Sequence, residues 1–414
     1  MTTNTTVTKR DPYGIYQVGS QTFSNKLEAT YSASAQKLPV TWNFHDDVFS
    51  KLDWTTRPEG NLKDLYRQRA QQLRDEYDYI IVYFSGGSDS WTVLHSFLSN
   101  GIHVDEIRTN WASAARKYYD PDPTNFNEIN IMSEFEYAIM PVLEHVKKHY
   151  PKTSIVYNDY SGDFQQTDFK EEFIARSNHW QHMSSPFRPQ GASEKSNLLI
   201  NKDRRVAAVY GFEKIKLRCI NKKLYMYFND AAGGAEVADG KTIEFFFSTP
   251  DFPVISLMQA YYCRDEMLAQ KNKLANDGQV YISSIRNEDP SISTFRNRGD
   301  WNWIYLKACY PDYNPDTFQT GKQLGSLVRA SDAWLLRYNP TFFKSWRWAY
   351  SQYFKNIDEQ YTTVALGNLI TGLRMYASQS YLIDDNFDYP DFDASKSIHP
   401  PLGGRSLHFT NIVN

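Results

Sequence analysis

The sequence predicts an α/β protein with a doubly wound, mostly parallel sheet, followed by antiparallel hairpins and a helical C-terminal module. Three observations predict it. Strand-like runs alternate with stretches of helical apolar spacing from about residue 61 to residue 210. A two-glycine turn joins the apolar run Tyr79-Ile80-Ile81-Val82-Tyr83-Phe84 directly to an amphipathic stretch over 91–100. Beyond residue 210 the texture changes to paired strand-like runs, and from about Pro253 to helical spacing. Alternation of the first kind implies right-handed βαβ units and a parallel sheet covered on both faces.

Residues 1–60 carry short alternating segments, Thr22-Phe23-Ser24 and Val40-Thr41-Trp42-Asn43-Phe44, without helical period, and read as an N-terminal extension of loops and short strands. A nucleotide-binding domain over 61–250 opens with a helix whose apolar face is Leu62, Leu65, Tyr66, Ala70, Leu73 and Tyr77. After the first strand and the glycine turn, Val93, Leu94, Phe97 and Leu98 form the face of a short helix ended by Asn100-Gly101. Residues 102–110 read as a second strand, and Ile131, Phe135, Ala138, Ile139, Val142, Leu143 and Val146 as a helix face. Residues 153–157 form a third strand, about 168–179 another helix, and 205–210 a fourth strand running into Gly211. The runs 214–219 and 224–228 flank Asn221-Lys222-Lys223, and with 242–247 they read as antiparallel hairpins, two of them joined by Ala231-Ala232-Gly233-Gly234. A helical module is expected over 251–385, with faces at Ile255, Met258 and Tyr262 and at Leu324, Leu327, Val328, Trp334 and Leu335, and one or two long helices over 342–381. The tail, 386–414, contains Pro390, Pro400, Pro401 and Gly403-Gly404 and reads as irregular.

A chain of 414 residues is long enough for a nucleotide domain plus a second module. Its net charge of -3 argues against a generally basic nucleic-acid binder, although a local basic face would be hidden in that sum, so nucleic acid stays open as a partner. Three scattered cysteines, Cys219, Cys263 and Cys309, exclude a disulfide framework and a four-cysteine metal site. The polar amino terminus and the lack of any run of about 18 apolar residues predict a soluble cytoplasmic protein without a membrane partner. An aromatic content of 15% raises the expectation of an interface, a homo-oligomer included, without selecting a function.

The chemistry-bearing segment is Ser85-Gly86-Gly87-Ser88-Asp89-Ser90. Two glycines let backbone approach a ligand closely, while successive N–H groups and a helix N-terminus direct partial positive charge to one point, so phosphate is the natural guest. Ordinary flexible turns use the same residues, but they are not placed between a buried parallel-type strand and a helix. No Gly-Lys-Ser/Thr follows four variable residues, so a Walker lysine mechanism is unsupported.

The hexapeptide resembles the SGGxDS signature of the PP-loop superfamily, the N-type ATP pyrophosphatases, at every specified position. The resemblance implies an adenine nucleotide α hydrolase-like fold that cleaves ATP between the α and β phosphates, adenylylates an acceptor and releases pyrophosphate, with ATP and Mg²⁺ bound. Gly211-Phe212-Glu213-Lys214 and the hairpin ending Phe228-Asn229-Asp230 also resemble uncharacterised phage-encoded PP-loop proteins.

Within the loop, the hydroxyls of Ser85, Ser88 and Ser90 and the backbone of Gly86 and Gly87 are expected to donate to phosphate. A carboxylate beside polyphosphate needs an intervening cation, so Asp89 is expected to bind Mg²⁺ or its water shell, and the resemblance implies the same; capping the helix is its alternative role. Lys214 follows the fourth strand, where ligands of such sheets bind, and is placed to reach the α phosphate; a solvated surface lysine is the alternative. The resemblance implies that Arg108, Thr109 and Asn110 contact adenosine, largely through backbone groups; Arg108 would otherwise be a surface ion-pair partner. Asp159-Tyr160-Ser161-Gly162-Asp163 forms a further polar loop on the same edge. His179 and His182 lack further ligands at metal spacing, and the cluster of Trp346, Arg347, Trp348, Tyr350, Tyr353 and Lys355 reads as core and interface before base stacking. Without a Cys at position 2 or a C-terminal cysteine motif, a class II amidotransferase is absent and sulfonucleotide reduction is the runner-up enzyme reading; a nucleotide-binding interaction protein without turnover is the alternative from another class. The acceptor is unspecified.

Overall fold

The computed structural model describes residues 12–111, 113–118, 132, 135–159, 161, 199–200, 202, 204–212, 214–230, 242–277, 301–313, 339–341, 355–365, 370–389 and 391–394. In chain order, β1 (Ile15–Val18) and β2 (Gln21–Phe23) lead into α1 (Lys26–Gln36), β3 (Val40–Asn43), α2 (Asp46–Phe49) and α3 (Leu62–Glu76). Next come β4 (Tyr79–Tyr83), α4 (Ser88–Leu98), β5 (Glu106–Trp111), a π turn (Phe135–Ile139) running into α5 (Met140–His149), β6 (Ser154–Asp159) and β7 (Val206–Tyr210). Then follow β8 (Lys216–Ile220), β9 (Lys223–Tyr227), β10 (Thr242–Phe245), α6 (Val254–Asp277) and α7 (Trp301–Cys309). Four short strands close the described chain: β11 (Thr362–Ala365), β12 (Ile370–Leu373), β13 (Tyr381–Asp384) and β14 (Phe392–Asp393).

The centre is a five-stranded, all-parallel sheet in the order β10-β7-β4-β5-β6. Every residue of β4 and β7 is buried, as a strand covered on both faces requires. Ile80 and Val82 pack with the apolar faces of α3 and α4 in the main core. Tyr79, Ile81 and Tyr83 project to the other face and cluster with Val206, Ala208, Tyr210, Tyr13 and Phe245. The α3 helix starts where Asn61 caps it, its Oδ1 accepting the Asp64 N–H at 3.0 Å, and it buries the predicted Leu62, Leu65, Tyr66, Ala70 and Leu73. No helix among the described residues is long and apolar enough to cross a membrane.

Several sequence expectations change. The 242–247 run is not part of an antiparallel hairpin: β10 pairs parallel with β7 as an edge of the central sheet. An apolar run does not name its partner strand; Glu244 does, because Arg69 of α3 reaches it at 2.8 Å in a fully buried ion pair that ties β10 under that helix. Second, the long helices expected over 342–381 give way, where the chain is described, to the antiparallel hairpin β11-β12 and to β13, which extends the sheet β13-β9-β8-β14. The β-branched Thr362-Thr363-Val364 and Ile370-Thr371 favour that outcome. Within the tail expected to be irregular, β14 pairs with β8. Third, residues 1–60 contain a helix, α1, whose N-cap Asn25 accepts the Leu27 N–H at 2.8 Å. Its inward residues include Ala29, Thr30, Ala33 and Ser34, too small to register as an apolar period.

The extension is packed, not appended. Trp42, Phe44, Phe49 and Trp54 belong to the main core, with the Phe44 ring tilted against Phe228 (centroids 4.7 Å apart) and Trp54 stacked on Tyr381 (4.8 Å). Lys26 and Asp230 form a buried ion pair at 2.7 Å, and Asp230 also accepts from the Tyr16 hydroxyl and the Tyr376 N–H. The helix expected over 168–179, the Gly233-Gly234 link and the faces at 324–335 lie outside the described residues.

Candidate functional site

Strand order changes direction at β4. The chain moves outward from β4 through β5 to β6, then returns to place β7 and β10 on β4's opposite flank. Connections leaving β4 and β7 therefore diverge, and the carboxyl ends of such neighbours are where open α/β sheets have their crevice and bind ligands. The loop 85–90 lies on one side of this place, and Gly211 and Lys214 on the other.

The first side is shaped by its glycines. Gly86 has φ +74°, and a Cβ there would stand 2.8 Å from Ile139 Cγ1 and 3.1 Å from Ala138 Cβ, so conformation and space both exclude a side chain. Gly87 is the extended N-cap of α4, and the first helical bond is Trp91 N–H to Gly87 O at 2.8 Å. The N–H groups of Ser88, Asp89 and Ser90 precede that bond and point out of the helix end, as at any helix N-terminus. The Ser90 hydroxyl closes the loop: it accepts the Ser85 N–H at 3.1 Å and donates to Gly87 O at 3.1 Å. Ser88 and Ser90 are buried and Ser85 is exposed, so of the three expected hydroxyl donors Ser85 reaches the surface while Ser90 braces the turn.

The second side is pressed against the first. A Cβ on Gly211 would lie 2.9 Å from the Asp89 carbonyl carbon and 3.0 Å from its oxygen, a backbone approach that a side chain would prevent. Three residues on, Lys214 Nζ donates to Asp89 Oδ1 at 3.0 Å. Asp89 and Lys214 keep side-chain exposures of 33% and 25%, so an incoming solute can reach both. Lys214 thus stands beside the loop, with its charge held by Asp89.

A third partner was not foreseen. Tyr310, directly after α7, donates its hydroxyl to the same Asp89 Oδ1 at 2.6 Å, and the Tyr305 ring lies 5.6 Å from Lys214 Nζ. Burial, with the Asp89 charge nearby, pushes the Tyr310 hydroxyl well above its ordinary pKa and keeps it a donor. No sequence signal marks a contact spanning 221 residues.

Other candidates are placed differently. Arg108 is not a surface ion-pair partner: it is buried, its guanidinium donates to Glu106 Oε1 at 2.7 Å and lies over the Tyr83 ring, so its side chain is committed within the sheet. Asn110 pairs with Asn158 across β5 and β6. Asp159 ties β6 to the turn after β5, accepting the Ser113 and Ser161 N–H groups at 3.1 and 3.0 Å and the Ser113 hydroxyl. Partial burial pushes its carboxyl up, but those hydrogen bonds outweigh burial and leave it below its ordinary value. Asp163, His179, His182, Trp346, Arg347, Trp348, Tyr350 and Tyr353 lie outside the described residues. All three cysteines are buried; Cys263 Sγ and Cys309 Sγ are 3.5 Å apart, and burial pushes the Cys219 thiol up to about 11.

No protein-family model matches this chain, and no curated protein is significantly similar to it. The resemblance therefore rests on the hexapeptide and its setting. Two concavities elsewhere, an open groove along α3 and a cavity of about 160 Å³ between α3 and α4, are lined by none of the loop residues, nor by Lys214 or Tyr310.

The arrangement suits a polyanion better than a free cation. Backbone donors, a helix N-terminus and one lysine converge on the crevice, while the described residues hold no group of three metal-ligating side chains. Asp89 alone fits Mg²⁺ only as a cation arriving with oxygen ligands of its own, as it does on a polyphosphate.

Proposed function

We propose that this protein is a PP-loop enzyme with a doubly wound, adenine nucleotide α hydrolase-like core, which binds ATP and cleaves it at the α–β linkage to adenylylate an acceptor. The observation that carries the reading is the meeting of Ser85–Ser90 and Lys214 across the switch point between β4 and β7. Here the loop N–H groups receive the β and γ phosphates, and Lys214 leaves Asp89 for the α phosphate. An acceptor oxygen attacks the α phosphorus, the bond from that phosphorus to the bridging oxygen breaks, and pyrophosphate departs with the developing charge held by backbone donors and Lys214. Mg²⁺, when bound with the nucleotide, would neutralise phosphate charge, with Asp89 as its protein ligand. Adenosine contacts at the β5 end fall to the backbone of Thr109 and Asn110, since the Arg108 side chain is taken by Glu106.

Burial of all three thiols weighs against sulfonucleotide reduction, which needs an accessible thiolate. The deciding experiment is calorimetric titration with Mg·ATP together with a pyrophosphate-release assay. Lys214→Ala is expected to slow release by about a hundredfold, the scale of losing one donor to developing charge. Wild-type binding and release that neither Lys214→Ala nor Asp89→Ala alters would overturn the assignment. Tight binding without release for any amine, tRNA or DNA acceptor would instead make the protein a nucleotide-binding partner.

A further inference from the structure

Asp89 Oδ1 takes two donors from two distant parts of the chain, Lys214 Nζ at 3.0 Å and the Tyr310 hydroxyl at 2.6 Å. These donors are not equally free to move. Lys214 is a flexible stem with a quarter of its side chain exposed. Tyr310 is buried, packed 5.5 Å from the Phe247 ring and 5.4 Å from Tyr305. The end of α7 that carries it is pinned as well: the Tyr66 hydroxyl donates to Cys309 O at 2.8 Å, and Gln259 Nε2 donates to the Tyr66 oxygen at 3.0 Å. The carboxylate is thus held between one rigid donor and one movable donor.

We propose that Tyr310 is a positioning residue for the phosphate loop. It fixes the Asp89 carboxylate, which parks Lys214 at the crevice before a ligand arrives and stays in place once Lys214 transfers to phosphate. Without that anchor, a carboxylate released by Lys214 would be free to rotate away from the position in which it would hold a cation arriving with the phosphates. The segment after α7 therefore completes a site whose other parts belong to the parallel sheet. This inference rests on the nucleotide reading above.

The test uses full-length protein and two measurements. Without nucleotide, a double-mutant cycle in urea with Asp89→Ala and Tyr310→Phe is expected to be non-additive, the unfolding constant departing from the product of the single effects by about tenfold, the scale of a hydrogen bond to a charged group. With Mg·ATP, Tyr310→Phe is expected to lower kcat for pyrophosphate release roughly tenfold while KM stays within about twofold, since Lys214 and the loop N–H groups remain. Tyr66→Phe serves as control, because it loosens the same helix end without touching Asp89 and is expected to change stability alone. An additive cycle, or kinetics of Tyr310→Phe that match those of Tyr66→Phe, overturns the proposal. Wild-type protein that neither binds ATP nor releases pyrophosphate overturns the nucleotide reading and the role given to Tyr310 with it, whatever the cycle shows about the contact.

Discussion

Replacing Gly211 with alanine tests whether the two lips of the crevice are one mechanical unit. The added methyl would stand 2.9 Å from the Asp89 carbonyl carbon, 3.0 Å from its oxygen and 3.1 Å from its Cβ. Non-bonded carbons prefer about 3.5–4.0 Å, so something must move by several tenths of an ångström. What it meets is the first turn of α4, not the end of a flexible side chain. Because Gly211 lies outside the left-handed region, no backbone strain adds to the cost. Overpacking of this kind costs about 1–3 kcal/mol, against about 0.4–1 kcal/mol gained from a less flexible unfolded chain, leaving a net loss of up to about 2.6 kcal/mol. Gly101→Ala is the matched control: its φ is +68° with nothing within 4 Å, so its cost of about 1 kcal/mol is conformational only. Urea unfolding measures both, and Mg·ATP titration measures whether the shifted lip weakens binding. Only Gly211→Ala is expected to do so, since the displacement separates Lys214 from the loop. A Gly211→Ala protein with wild-type stability and wild-type affinity would refute the reasoning.

Asp230→Ala is expected to destabilise by about 3–5 kcal/mol in urea unfolding, because it strands the Lys26 charge inside the protein, whereas surface Asp358→Ala, which frees only the exposed Lys37, should cost under about 1 kcal/mol. His95 stacks on Trp91 and faces Asp312 at 3.7 Å; burial lowers its pKa below the ordinary 6.5 more than Asp312 raises it. The unfolded chain then binds that proton more readily, so stability falls as pH drops below about 6.5, and His95→Gln should flatten the decline measured by thermal melts from pH 7 to 5. A thiol reagent should modify none of the 3 cysteines in the native protein and all of them in denaturant; rapid native labelling would contradict their burial.

What was legible in the sequence was local. The strand, glycine turn and helix from Tyr79 to Leu98 announce themselves within twenty residues or so, because an apolar run, a glycine pair and a helical period are each short-range signals. Asn61 and the Leu62-to-Leu73 spacing did the same for α3. Lys214 could be tied to the loop only through the rule that ligands collect at strand ends; its ion pair with Asp89 is a contact across the fold that the rule does not specify. The partner of β10 could not be read, since it depends on Arg69 meeting Glu244 across the fold. The surface ion-pair alternative for Arg108 fails for the same reason: a charged residue in a strand looks exposed until a Glu106 two residues away is seen to share its burial. Tyr310 carried no signal, because nothing near it in the chain differs from an ordinary aromatic helix end.

The spacing of the crevice along the chain also fixes the order in which it can be made. The loop and α4 form from contiguous residues, but β4 pairs with β7, and Tyr310 must close a contact of 221 residues to reach Asp89. During synthesis the emerging glycine loop therefore spends the time needed to translate the chain as far as β7 with its central strand unpaired on that side. High contact order of this kind slows folding and leaves an unprotected strand edge. A nascent chain stalled before residue 206 would display the hexapeptide without Lys214, so the polyanion binding proposed for this site should appear late and abruptly as the polypeptide lengthens.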